Sequence, residues 1–218
     1  MTSKTPSLVM LISGRGSNME AFIRAIAAGT LDARIVAVIS NVADAPGLDL
    51  ARQADLPASV LSHQDYPDRA SFDAALGDAV AAHQPDLVIL AGFMRILTPA
   101  FVDRFAGRLL NIHPSLLPKY PGLHTHQRAI DAGDAEAGAT VHYVTSELDG
   151  GPAIMQVRLP IQPNDTADTL AQRLLPLEHQ LYPAAAKLHL SGKLTLVDGR
   201  LEFDGKAMPP TGLEWRPQ

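Results

Sequence analysis

Asn111 and His113 stand two apart in the stretch "NIHPSLLPKYPG", which packs an amide, an imidazole and three prolines into a dozen residues. On a strand, residues two apart project from the same face, so this spacing sets a hydrogen-bond donor beside a titratable ring. Pro114 restricts the residue before it to extended backbone and so limits the positions open to His113. Taken alone, an N-x-H pair more often satisfies the backbone of its own loop. Ser115 is a poor nucleophile, because no G-x-S-x-G elbow surrounds it. A carboxylate could complete the set: "SELDGGP" carries Glu147 and Asp149. Asp149 follows a strand and precedes two glycines, where a mobile loop could bring it to His113, although "DGG" by itself is also an ordinary turn. Amide, imidazole and carboxylate together can stabilise an oxyanion and move a proton.

A second loop, "SGRGSN" from Ser13 to Asn18, ends an apolar run and opens a helical pattern. Glycines there let backbone amides approach an anion at a helix N-terminus. The dinucleotide fingerprint needs a third glycine where Met19 stands, and the nucleotide-triphosphatase loop needs Gly-Lys-Ser/Thr. The loop therefore fits a single phosphate, or a plain tight turn, better than NAD or ATP. His124 and His126 have no cysteine partner and no H-E-x-x-H context, which makes a metal site a weak reading.

These loops need a frame. Residues 8–12, Arg34–Ser40, 58–61, 87–91 and Leu109–His113 read as strands, the longer ones apolar and rich in β-branched residues. Residues 19–28, 48–54 and 68–83 read as helices between them. That alternation predicts a Rossmann-like α/β fold: a mostly parallel sheet with helices on both faces, with Leu109–His113 as its last parallel strand. Open sheets of this type place ligands at the C-terminal ends of their strands. Residues 140–145 and 154–160 then read as strands that extend the sheet in antiparallel fashion. Residues 165–190 read as a helix interrupted at Pro176 and Pro183, and "KLTLVDGRLEF" as a hairpin around Asp198 and Gly199.

With 218 residues, 46% hydrophobic and 19% charged, a single globular domain over 1–218 is expected. The absence of cysteine excludes a disulfide scaffold, a thiolate zinc site and a cysteine nucleophile. A net charge of −5 without a Lys/Arg cluster argues against nucleic acid as partner. The apolar run at 8–12 is too short for a signal core or membrane span, so no membrane association and a cytoplasmic location are expected.

In this order, "LISGRGSN", "AGFMRIL", "LLNIHPSLLPKYPGLHTHQRA" and "VHYVTSELDGGP" resemble the folate-dependent phosphoribosylglycinamide formyltransferase family, from Leu8 to about Tyr182. The third motif is long and specific. The resemblance implies transfer of a formyl group from 10-formyltetrahydrofolate to the amine of 5-phosphoribosylglycinamide in purine biosynthesis, with small-molecule partners, no metal, and a monomer or weak homodimer. It implies Asn111, His113 and Asp149 as the catalytic trio. Gly16, Ser17 and Asn18 match the phosphate-binding turn, and Glu178 matches a residue that binds the ribose. Met94, Arg95, Ile96 and Leu97 match the segment framing the pterin, with Asn111 beside the folate. Thr145, Ser146, Glu147, Leu148 and Asp149 match the flexible folate-side loop, and Arg69 a position that meets the glutamate tail. His124 and His126 become pocket-wall or packing residues. A 10-formyltetrahydrofolate hydrolase or another folate-dependent formyltransferase is the alternative. The tRNA-directed relatives normally add a basic C-terminal domain and the hydrolases an N-terminal regulatory one. A non-catalytic nucleotide-binding module would not need a titratable pair.

Overall fold

A computed structural model describes residues 4–197 and 199–216. The chain packs as two compact units, residues 1–110 and 111–218.

In the first unit, β1 (Ser7–Ile12), β2 (Arg34–Ser40), β3 (Ala58–Val60) and β4 (Leu87–Leu90) lie in the order β4-β1-β2-β3, all parallel. Every residue of β1 and β4 is buried, as continuous apolar runs require of strands covered on both faces. Helices α1 (Ser17–Ala27), α2 (Pro46–Gln53) and α3 (Arg69–Ala81) make the connections, and α4 (Pro99–Arg104) follows β4. The path runs from β1 through β2 to β3 in one direction, then returns past β1 to β4. Right-handed crossovers therefore set α1 and α2 on one face and α3 on the other. The packing agrees, because α1 lies against α2 and α3 against α4. The chain reverses this direction between β1 and β4, so the loops leaving their C-terminal ends flank a topological switch point. Those loops carry residues 13–18 and 91–97.

Strand β5 (Leu109–His113) carries the chain across the division. In the second unit the strand order is β11-β7-β6-β5. The long strands β6 (Glu136–Tyr143) and β7 (Ala153–Pro160) are antiparallel, and β11 (Leu213–Glu214) joins β7 in parallel. Parallel pairing thus does not end with β5 as the sequence implies; β11 comes from the far end of the chain, a pairing that no local pattern announces. Strand β6 also starts earlier and stops earlier than expected, which leaves Thr145 in the following loop.

Helix α6 (Ala167–Leu190) is continuous, so Pro176 and Pro183 do not interrupt it. Each proline removes one backbone hydrogen bond at a cost of about 3 kcal/mol or more. Leu170, Leu174, Leu181, Tyr182, Ala185 and Ala186 are buried along one side, against β6, β7 and α5 (Thr125–Asp131). Burying one large apolar side chain contributes ~1.5–3 kcal/mol, so the face as a whole outweighs both prolines. A capping box of Thr166 and Thr169 starts the helix. Strands β8 (Leu194–Val197) and β9 (Arg200–Phe203) pair as the expected hairpin, with β10 (Lys206–Ala207) added as a third antiparallel strand. Asp198, in the expected turn, lies outside the described residues.

Candidate active site

In the second unit, four polar side chains converge at the end of β5. His113 is buried, and both of its ring nitrogens face acceptors. Nε2 lies 2.9 Å from the Tyr120 carbonyl oxygen, and Nδ1 lies 3.4 Å from Asp149 Oδ2. A ring that carries both protons satisfies this arrangement completely. The same Asp149 oxygen accepts the Gly122 N–H at 2.9 Å. Asn111 reaches the other side of the cluster, with its Nδ2 3.4 Å from His142 Nε2. His142 Nε2 is in turn 3.8 Å from Asp149 Oδ1. Strand periodicity thus brings Asn111 and His113 to one place, joined through Asp149 and His142.

The spacing of the sequence does not single out His142. It is 2% exposed, and its Nδ1 is 2.9 Å from the Tyr143 carbonyl. Nδ1 must therefore be the donor. Burial lowers the His142 pKa; the Tyr143 carbonyl and Asp149 act against this, and the nearby His113 adds slightly to it. The neutral ring then offers a lone pair at Nε2, so the group facing it must be the NH₂ of Asn111. The signal that could have found it is a histidine inside "ATVHYV", an otherwise apolar strand.

The loop after β5 is built to return to His113. Ser115 N–H donates to the His113 carbonyl at 2.8 Å, and the Ser115 hydroxyl donates to Lys119 O at 2.7 Å. Ser115 therefore serves the loop, as its lack of an elbow implies. Tyr120, whose carbonyl faces His113, sits at φ 57°. Its hydroxyl donates to Asp134 at 2.9 Å, and the Arg128 guanidinium lies 5.1 Å from its ring centroid. These contacts hold a conformation that a tyrosine rarely adopts. Asp149 is also left-handed, at φ 52°. After it, a Cβ on Gly151 would lie 1.8 Å from the Tyr143 carbonyl oxygen, so only glycine fits. Thr145, Ser146, Glu147 and Leu148 are exposed on this loop.

Glu178 is nearly buried on α6, and desolvation pushes its pKa up to about 7. It is not a solvated helix-face carboxylate. His124 is exposed ahead of α5. His126 is half-buried with an unpartnered Nδ1; desolvation lowers its pKa and His113 adds to the effect. Among the described residues, no group of three or more His, Asp or Glu side chains could hold a metal ion.

The first unit holds the remaining sequence candidates. Gly16 caps α1 at φ 73°, and a Cβ there would meet Gly47 Cα at 3.0 Å. Ser17 and Asn18 form the first turn, and Asn18 Oδ1 is buried without a partner. Past β4, Met94 is 74% and Ile96 62% exposed, while Leu97 is buried. The Arg95 guanidinium lies 5.0 Å from the Phe72 ring centroid. Arg69 is exposed at the start of α3.

The formyl transferase family model matches residues 7–186. This chain belongs to that family. Along the formyl transferase chain, 205 residues are 47% identical to the phosphoribosylglycinamide formyltransferase of Haemophilus influenzae, covering 94% of this chain and 97% of that one. The enzyme of the same name from Escherichia coli is 47% identical over 206 residues, with the same coverage. The solved phosphoribosylglycinamide formyltransferase of Coxiella burnetii superposes with a TM-score of 0.93 at 46% identity, covering 98% of this chain and all of that one. Among the described residues, no helix is long and apolar enough to cross a membrane.

Proposed function

We propose that this formyl transferase moves the formyl group of 10-formyltetrahydrofolate to the amine of 5-phosphoribosylglycinamide, a step of purine biosynthesis. The observation that carries the reading is the Asn111–His113–Asp149 cluster, in a chain 47% identical to enzymes named for that reaction.

The amine attacks the formyl carbon, forming a C–N bond and a tetrahedral oxyanion. The bond from that carbon to N10 of the folate then breaks, N10 gains a proton and the former amine loses one. Asn111 Nδ2 has two N–H bonds; one faces His142, which leaves the other for the oxyanion. His113 adds positive charge when both ring nitrogens are protonated, and Asp149 holds that ring in place. Asp149, directly or through water, is the acceptor for the amine proton.

Gly16, Ser17 and Asn18 would bind the acceptor's phosphate through backbone N–H groups at the start of α1. Glu178 would hold the ribose hydroxyls, whose donors suit a buried carboxylate. Met94, Arg95, Ile96 and Leu97 would frame the pterin. Asn111 and the loop of Thr145, Ser146, Glu147, Leu148 and Asp149 would line the folate, and Arg69 would meet its glutamate tail. The chain would act as one formyltransferase domain over 1–218, a cytoplasmic monomer or weak homodimer that needs no metal, nucleic acid or membrane.

The test is formyl transfer followed by folate absorbance, with candidate acceptors supplied in turn. Turnover with 5-phosphoribosylglycinamide is expected. Folate release with water alone, at the same rate, would make the chain a hydrolase instead.

A further inference from the structure

We propose that Ser13 and Asp73 are positioning residues that clamp the 94–97 segment at its two ends, so that its exposed backbone stays fixed for a flat ligand. This rests on the reading that the segment holds the folate.

At the leading end, the Met94 N–H donates to Ser13 Oγ at 2.8 Å, and Ser13 N–H donates to the Gly92 carbonyl at 3.2 Å. The Ser13 hydroxyl donates onward to Asn41 Oδ1 at 2.5 Å. Asn41 is itself buried and meets His63 Nδ1 through its Nδ2 at 3.2 Å. With its proton committed to Asn41, the Ser13 oxygen can only accept from Met94.

At the trailing end, Asp73 on α3 is 2% exposed, and its Oδ2 accepts the Thr98 N–H at 2.5 Å. The other oxygen, Oδ1, is buried with no partner. A buried carboxylate with an unmatched oxygen is destabilising by itself. What it provides is a charged acceptor for one backbone N–H, a bond roughly twice as strong as its neutral equivalent. Phe72, the preceding residue, lies under the Arg95 guanidinium. Consecutive residues of one rigid helix thus hold both Arg95 and Thr98.

Between the two ties the chain is open. Among the described residues, none forms a hydrogen bond with the backbone of Ile96 or Leu97. A segment with exposed apolar side chains and unmatched amides would normally be mobile. Pinning its ends removes that freedom before a ligand arrives and lowers the ordering cost of binding.

A plain helix cap is the rival explanation, because Thr98 is the N-cap of α4. A cap predicts lost stability and equal damage to both substrates, whereas the clamp predicts damage to one. Dissociation constants for tetrahydrofolate and for 5-phosphoribosylglycinamide are measured separately in Asp73→Ala, Asp73→Asn and Ser13→Ala. Backbone amide signals of Ile96 and Leu97 are followed in the unaltered protein during tetrahydrofolate titration. Losing a single charge-assisted bond should weaken tetrahydrofolate about tenfold in Asp73→Ala, with the acceptor changed no more than ~2-fold. Asp73→Asn keeps an oxygen for Thr98 and should restore most of the affinity. If Asp73→Ala does not fold, Ser13→Ala is expected to show the same selective loss. Unchanged tetrahydrofolate binding, or equal loss of both ligands, overturns the clamp while leaving the folate assignment intact. Ile96 and Leu97 amides that ignore tetrahydrofolate in the unaltered protein overturn the folate assignment, and the clamp with it.

Discussion

The Asn111 side-chain amide donates to Nε2 of His142 across 3.4 Å. Nδ1 of His142 is committed to the Tyr143 carbonyl, and burial favours the neutral ring, whose lone pair selects which end of the Asn111 amide faces it. The second N–H of Asn111 then has a fixed direction. His142→Ala should lower kcat about tenfold to a hundredfold while dissociation constants move only a few-fold, because misplacing a donor by ~1 Å has effects of that size. Burial lowers the His142 pKa, so any limb this ring adds to the pH–rate profile should lie on the acid side of an ordinary histidine's and disappear in the variant. Rate profiles from pH 5 to 9 check both points.

Asp149 joins His113 to the Gly122 amide through one oxygen. Asp149→Asn retains an oxygen for Gly122 but loses the charge beside the ring. Turnover should fall ~10²–10⁴-fold, the usual range for an acid–base group. Near wild-type kcat across the pH range would remove Asp149 from the chemistry.

Burial pushes the Glu178 pKa up to about 7 in the folded chain, against 4.5 for a free glutamate side chain. Its folded pKa is raised, so the unfolded chain ionises first and the group destabilises the fold as pH rises. The penalty is absent below about pH 4.5, grows through the interval and is complete above about 7. Glu178→Gln should therefore be more stable than the unaltered protein above pH 7, by at most about 3 kcal/mol, with the difference closing toward pH 4.5. Denaturant melts at several pH values measure this. The same variant should bind 5-phosphoribosylglycinamide more weakly.

Gly16 adopts φ 73°, and a side chain there would press on Gly47. Gly16→Val should weaken the phosphorylated acceptor by about tenfold or more while tetrahydrofolate affinity stays within ~2-fold, since αL strain alone costs β-branched residues ~1–3 kcal/mol. Equal loss of both ligands would make the turn purely structural.

Pro114 restricts the backbone of His113, and the loop it begins returns the Tyr120 carbonyl to the ring. Pro114→Ala should fold and bind both substrates within a few-fold, yet lose turnover. Separate measurement of kcat and the two dissociation constants distinguishes this from a binding wall, which would lose affinity and keep kcat.

Where burial and local pattern agree, the sequence by itself determined the outcome. The apolar runs of β1 and β4, the β-branched run of β2 and the N-x-H spacing on β5 are local facts, and two-residue periodicity needs nothing else to bring Asn111 and His113 together. The long motif around them was sufficient to place the chain in its family. The short helices α4 and α5 are not legible in the sequence, because one or two turns leave too little periodicity to register. The tertiary structure alone decided the rest. Propensity sets two prolines against α6, but the apolar face packed on β6 and β7 exceeds what they remove, and only the folded chain supplies that face. The pairing of β11 with β7 depends on residues more than fifty positions apart. His142 reads as one more residue of a buried strand until its ring is seen between Asn111 and Asp149. Its role comes from desolvation and from which atoms surround it, and neither is written in the spacing of the chain.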